Sequence, residues 1–439
     1  MIRSELMDVI SPFNFWEKEL ETGYERKEYL YLFKGYLRIP STAVAVTGVR
    51  RSGKTFLCRQ MIRSLIEEGT DPRSTIFINL EDPALEPYLS TQLLVDIYDT
   101  YLHYLKPEGS IYFFIDEAQT IKGWERWVRS MIEKTPDVKI IVTGSSSEIM
   151  SQELSSLLTG RFMDLRIQPF SFSEFLGFNG SLDKVWNENQ MQRELLEYME
   201  AGGYPQVQSI ENQDLKEEFL KGLFHSILNR DIVNRFGVRE VHKLKSLVTL
   251  LLNNISNLTS VTKMKNSMNS AGIKISSTTI NEYFSYLSES LIFTFILIIS
   301  YKAKDIEQYP KKLYCIDTGM VRSVKSPKRM DLGNLAENVV AMELLRRYHK
   351  DEIFYWNGKG EVDFVVVRGD EKKLIQVCWD LEDPKTRKRE IKALFEAEKE
   401  LGKGSKLILT REGSETEEGI EIQPLWKWLL NQYNRNRQE

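Results

Sequence analysis

The octapeptide Gly48-Val49-Arg50-Arg51-Ser52-Gly53-Lys54-Thr55 constrains this chain more than any other stretch. It fits G-x-x-x-x-G-K-[ST] in full, directly after the apolar run AVAV (43–46) and directly before the helix-like TFLCRQMIRSLIEEG (55–69). A glycine-rich turn between a buried strand and a helix N-terminus offers phosphates a set of backbone N–H groups and the positive end of a helix dipole. Gly48 and Gly53 let the backbone wrap the phosphates, Lys54 reaches the β- and γ-phosphates, and Thr55 is placed to ligate Mg²⁺. A nucleoside-triphosphate site is the expectation.

Three more short apolar runs, TIFI (75–78), IYFFI (111–115) and KIIV (139–142), alternate with amphipathic helical stretches up to about residue 168. Runs of this kind read as buried parallel strands covered by helices on both faces, an α/β doubly wound sheet. IYFFI ends at Asp116-Glu117, 62 residues after Lys54, an interval with room for TIFI between the two motifs. Asp116 is expected to hold Mg²⁺ through water, and Glu117 to orient and deprotonate the attacking water. KIIV delivers Thr143-Gly144-Ser145 to the same sheet edge, making Thr143 or Ser145 a candidate γ-phosphate sensor. Arg161, in LLTGRF, is a candidate arginine finger for its own or a neighbouring subunit. No Asn in the chain is followed by Lys, so the guanine-reading Asn-Lys-x-Asp is missing and ATP is the expected nucleotide.

With 439 residues the chain is long enough for several domains. The expected division is a P-loop domain with an N-terminal arm over 1–170, a helical subdomain over 171–238, a winged-helix domain over 239–330 and a mixed α/β domain over 331–439. The third segment rests on its element order, three helix-like stretches followed by the runs LIFTFILII (291–299) and KLYCI (312–316). Three cysteines, Cys58, Cys315 and Cys378, have neither zinc-ligand nor redox-pair spacing, which points to a reducing cytoplasm. The acidic N-terminus and the absence of a run near 20 apolar residues argue against export and membrane insertion. The net charge of −4 hides a basic window, residues 240–330, with 13 Lys/Arg against 6 Asp/Glu.

GVRRSGKT, FFIDEAQ with GWERWVR, the GSSS…LLTGRF stretch and PFSFSEFL together resemble a large prokaryotic family. Its members join an AAA-type (AAA+ superfamily) ATPase to a C-terminal domain of unknown function with a restriction-endonuclease-like fold. The resemblance extends over GGYP (202–205), LNRDI (228–232), KKLYCIDTGMV (311–321) and GEVDFVVV (360–367). It implies ATP and Mg²⁺ as cofactors, Lys54, Thr55, Asp116 and Glu117 as the nucleotide and catalytic residues, Ser145 as sensor and Arg161 as arginine finger. A homo-oligomer would accommodate a finger acting between subunits.

Two regions carry alternatives. The basic window suits double-stranded DNA, gripped through Lys263, Lys265 and Lys274 ahead of STTINEYFSYLSES and through Lys302, Lys304, Lys311 and Lys312 beside the strands. The same module equally serves as an interdomain packing unit. In the last segment Glu337, Asp363 and Gln376-Val377-Cys378 have the layout of a nuclease core. Gln376 and Cys378, however, stand where metal-dependent cleavage calls for a carboxylate and an ammonium. A binding or assembly platform is therefore expected, with a metal-dependent nuclease as the alternative.

Overall fold

Strand β1 (Ala43–Thr47) is buried along its whole length, and its pleat sends Ala43 and Ala45 into one apolar layer and Val44 and Val46 into another. It belongs to a computed structural model that describes residues 2–144, 160–182, 184, 187–300, 309–324 and 331–436. The chain divides into two compact units, Met1–Gln168 and Pro169–Glu439.

In the first unit β1 lies inside a five-stranded sheet of order β2-β3-β4-β1-β5, with β2 (Thr75–Asn79), β3 (Ile111–Asp116), β4 (Val138–Gly144) and β5 (Phe162–Arg166) all parallel. Helices Arg3–Ile10, Thr91–Leu105 and Trp124–Lys134 cover one face, and Lys27–Leu37 and Lys54–Glu67 the other. This is the doubly wound arrangement read from the apolar runs. Strand β5, which the sequence reading omitted, is FMDLR, a half-exposed edge strand with too few apolar residues to stand out.

The opposite edge, β2, is closed by the N-terminal arm. Asn14 pairs with Phe77 as a strand partner would, its Nδ2 donating to Phe77 O at 2.9 Å and its Oδ1 accepting from Phe77 N at 2.7 Å. Trp16 Nε1 donates to Thr75 O at 2.8 Å. These bonds satisfy backbone groups that an open edge would leave for another chain.

The second unit begins with helices Phe172–Phe178, Glu188–Ala201, Pro205–Gln208 and Gln213–Ser226, the last running into a π-helical turn, Ile227–Asn234. Next come helix Val241–Leu252, β6 (Leu258–Thr259), helices Val261–Ser270 and Ser277–Glu289, β7 (Phe293–Ile298) and β8 (Lys311–Cys315). The remaining strands are β9 (Ile353–Asn357), β10 (Glu361–Arg368), β11 (Glu371–Val377), β12 (Ser405–Thr410), β13 (Glu415–Glu417) and β14 (Ile420–Pro424). Among the described residues they form one nine-stranded sheet, β13-β14-β12-β11-β10-β9-β7-β8-β6. Its two halves join where β7 pairs in parallel with β9, so strands from either side of residue 330 share a sheet.

GGYP and DTGM, far apart in sequence, meet in this unit. The Asp317 carboxylate accepts from Gly203 N at 2.6 Å and Met320 N at 3.0 Å. A Cβ on Gly202 would stand 2.2 Å from Asp317 Oδ1, and one on Gly203 would stand 2.3 Å from Phe170 O, so neither position has room for a side chain.

Candidate functional site

The parallel register brings the C-terminal ends of β1, β3 and β4 together, with Thr47 opposite Gly144 and Asn79 opposite Asp116. Ligands of doubly wound sheets bind at this edge. Gly48 leaves β1 at φ 153°, and a Cβ there would stand 2.3 Å from Ile167 O and 3.0 Å from Ser52 Oγ, so only glycine allows the loop this close to the chain leaving β5. Val49 is buried, Arg50 lies 3.9 Å from Glu81, Arg51 takes φ 64°, and Gly53 takes φ 100° with nothing within 4 Å of a would-be Cβ.

Lys54 opens the following helix, its side chain only 8% exposed, with Nζ 3.2 Å from Gly48 O and 3.8 Å from Glu117 Oε1. Thr55 Oγ1 donates to Asp116 Oδ2 at 2.8 Å. Burial raises the Asp116 carboxyl above the ordinary aspartate range, the Thr143 bond pulls it back, Glu117's charge raises it again, and Thr55 and Lys54 lower it. Thr143 Oγ1 donates to Asp116 Oδ1 and accepts from Glu117 N at 3.1 Å. Its hydroxyl is therefore engaged by the acidic pair rather than turned towards a phosphate, and it holds Asp116 and Glu117 in register.

The loop fits a polyphosphate. Ser52 Oγ is buried without a hydrogen-bond partner, and an open cradle at Gly53 lies beside a shielded ammonium. Thr55 and Asp116 form the oxygen pair suited to Mg²⁺.

Two other residues had no sequence signal. Arg26, buried in the N-terminal arm, donates to Ser52 O at 3.1 Å and Gln168 O at 2.9 Å, fastening the loop to the chain after β5. Gln119 Nε2 donates to Glu117 Oε2 at 2.5 Å.

Ser145 lies outside the described residues, as do Lys302 and Lys304. Arg161 requires a correction. It precedes β5 at the N-terminal edge of the sheet, where its carbonyl accepts from Ala43 N and its guanidinium pairs with Glu133. The length of β1, about 16 Å at ~3.3 Å per residue, separates that edge from the P-loop, so Arg161 does not serve the nucleotide site of its own chain.

A second correction concerns Lys312, which is 1% exposed and inaccessible to DNA phosphates. Its Nζ sits 2.6 Å from Asp363 Oδ1, 2.8 Å from Glu361 Oε1 and 3.0 Å from Glu337 Oε1. The carboxylates outweigh burial and raise the Lys312 ammonium well above the usual lysine value. Burial, with Asp363's charge, pushes Glu337 up to about 8, against the pull of Lys312 and Tyr314. Gln376 faces no open site either: its Oε1 accepts from Asp363 N at 3.1 Å and its Nε2 donates to Glu390. Cys378 Sγ contacts Asp380 O at 3.1 Å. Among the described residues no group of three or more His, Cys, Asp or Glu is arranged to hold a metal ion. Alternation along β8 puts Tyr314 on the same face as Lys312, and Tyr314 OH donates to Glu337 at 2.7 Å. Lys263, another candidate phosphate contact, donates to Asn254 Oδ1 at 2.9 Å and Leu258 O at 3.0 Å.

The sheet order, the P-loop and the acidic pair define an ATP-binding P-loop domain. An "AAA domain" family model matches residues 40–176, and two models for domains of unknown function, DUF8612 and DUF4143, match 192–331 and 332–428. An uncharacterized protein of Methanocaldococcus jannaschii is 33% identical over 410 residues, 89% of each chain. One of Haemophilus influenzae is 30% identical over 394 residues, 88% of this chain and 93% of that one. The chain belongs to the family of these proteins. Among solved structures, a Walker-type ATPase of Pyrococcus abyssi aligns with 70% of this chain and 99% of its own, at 15% identity and a TM-score of 0.47.

Proposed function

We propose that this protein is a Mg²⁺-dependent ATPase whose nucleotide cycle is coupled to the modules after residue 168. The observation that carries the reading is the convergence of Lys54, Thr55, Asp116 and Glu117 on one sheet edge, with Thr55 bonded to Asp116 at 2.8 Å and Glu117 3.8 Å from Lys54. The P-loop N–H groups and Lys54 bind the polyphosphate. Mg²⁺, held by Thr55 and by Asp116 through water, would neutralise phosphate charge. Asp116 and Thr143 fix the main chain that carries Glu117, whose carboxylate takes a proton from the attacking water.

Arg161, excluded from its own site by its place on the sheet, is assigned to the nucleotide of a neighbouring copy in a homo-oligomer. The test of the core reading is phosphate release from ATP by the wild type and by Glu117→Gln: turnover in the wild type and its loss in the variant is the expected result, and equal turnover in both rejects it.

A second role, contact with double-stranded DNA through 239–330, draws support from the element order helix–strand–helix–helix–strand–strand and the antiparallel order β7-β8-β6, the arrangement of a winged helix. Lys265 and Lys274 are the lysines assigned to phosphate. Salt-sensitive binding that falls when both are reversed to Glu supports this role, and no binding at low salt with or without ATP rejects it. For the last segment the Lys312-centred ion cluster favours a structural platform over a nuclease.

A further inference from the structure

Gln119 follows the proposed base by two residues, in the short 3₁₀ turn Ala118–Thr120. The turn is held rigidly at its start. Glu117 takes the left-handed conformation at φ 55°, its N–H is bound by Thr143, and its carbonyl accepts from Thr120 N at 3.0 Å and Thr120 Oγ1 at 2.7 Å. A non-glycine residue in that conformation is strained, and such strain collects where a side chain must be aimed.

The Gln119 amide has its orientation dictated by chemistry. An ionised carboxylate only accepts, so the nitrogen must face Glu117 Oε2 and the oxygen must point away. That oxygen, Gln119 Oε1, is buried and has no hydrogen-bond partner. A buried orphan acceptor costs about 1–3 kcal/mol unless a donor arrives. Triphosphate oxygens are acceptors and cannot fill this need; a water beside the base can, once the Gln119 side chain turns far enough to uncover its oxygen.

We propose that Gln119 is the second anchor of the attacking water: its Nε2 fixes the Glu117 carboxylate while its Oε1 accepts one O–H of the water whose other O–H faces Glu117. This rests on the reading of Glu117 as the base of ATP hydrolysis. With both hydrogens held, a lone pair of the water oxygen is left to meet the γ-phosphorus. A bond forms between that oxygen and phosphorus, and the bond from phosphorus to the β–γ bridging oxygen breaks with its electron pair leaving on ADP. The water's proton passes to Glu117, and inorganic phosphate and ADP are released.

The test compares the full-length wild type, Glu117→Gln, Gln119→Met and Gln119→Asn in steady-state ATP hydrolysis, with ATP affinity measured in parallel. Gln119→Met keeps the length and removes both amide functions. Its kcat is expected to fall about 100-fold, the scale of a misplaced reacting group, with KM and ATP affinity within about twofold of wild type. Gln119→Asn keeps the amide but draws it back by one methylene, so its kcat is expected to fall with KM and ATP affinity equally unmoved. A merely structural Gln119 would change affinity and stability together and spare kcat. Should Gln119→Met fail to fold, the kcat-against-KM split of Gln119→Asn decides. If Gln119→Met turns over within about threefold of a wild type that Glu117→Gln silences, the role of Gln119 is overturned and the ATPase reading stands. If the wild type hydrolyses no ATP, both fall.

Discussion

Replacing Lys312 by Met removes one ammonium from among three carboxylates at 2.6, 2.8 and 3.0 Å while nearly preserving side-chain volume. Glu361 is 41% exposed at its side chain and can turn to water, while burial and Asp363's charge already favour a proton on Glu337. The charge left stranded is Asp363, only 9% exposed at its side chain. Leaving a buried charge without its partner costs about 3–5 kcal/mol. Lys312→Met should therefore destabilise the second unit by about 3–5 kcal/mol in urea unfolding at pH 7. Adding Asp363→Asn should recover about half of it. A loss below about 1 kcal/mol would refute the charge-balance reasoning.

Two further perturbations address the nucleotide site and the GGYP–DTGM junction. Thr143→Val keeps the shape of β4 and removes the hydroxyl shared by Asp116 and Glu117. A hydrogen bond to a charged group is worth about 1.5–3 kcal/mol, so kcat should fall about 10- to 100-fold, and a kcat equal to wild type would contradict the positioning role. Burial pushes Asp317 up to about 6, against the N–H groups of Gly203 and Met320, from an ordinary value near 4. Because the folded value is the higher one, the stability linked to its proton is fully present below about pH 4 and is lost as pH rises through about 6, a change of about 3 kcal/mol. In Asp317→Asn that part of the Tm-against-pH slope between pH 4 and 7 should vanish, and an unchanged slope would exclude Asp317 as its source.

The nucleotide site was legible because its chemistry lies in contiguous stretches: a loop that demands Gly48 and Gly53, and an acidic pair at the end of five apolar residues. Local patterning likewise marked β1 to β4 and the long helix Pro384–Leu401. What escaped depends on residues distant in sequence. Asn14 as a surrogate strand partner, Arg26 as a clamp on the P-loop and Lys312 as counter-ion to Glu337, Glu361 and Asp363 acquire their roles only through tertiary contact. Lys312 also shows how a charge count misleads: a lysine in a basic window counts as surface charge until the strand's alternation turns it inward. Arg161 shows the reverse limit, since its place in LLTGRF did not reveal which end of the sheet it occupies.

The most direct test of the central claim follows ATP binding and single-turnover phosphate release on the same samples of wild type, Lys54→Ala and Glu117→Gln, with and without Mg²⁺. The predicted result is tight binding and Mg²⁺-dependent release by the wild type, no binding by Lys54→Ala, and undiminished binding without release by Glu117→Gln. Release by Glu117→Gln at the wild-type rate, or ATP binding that survives Lys54→Ala unchanged, would contradict it.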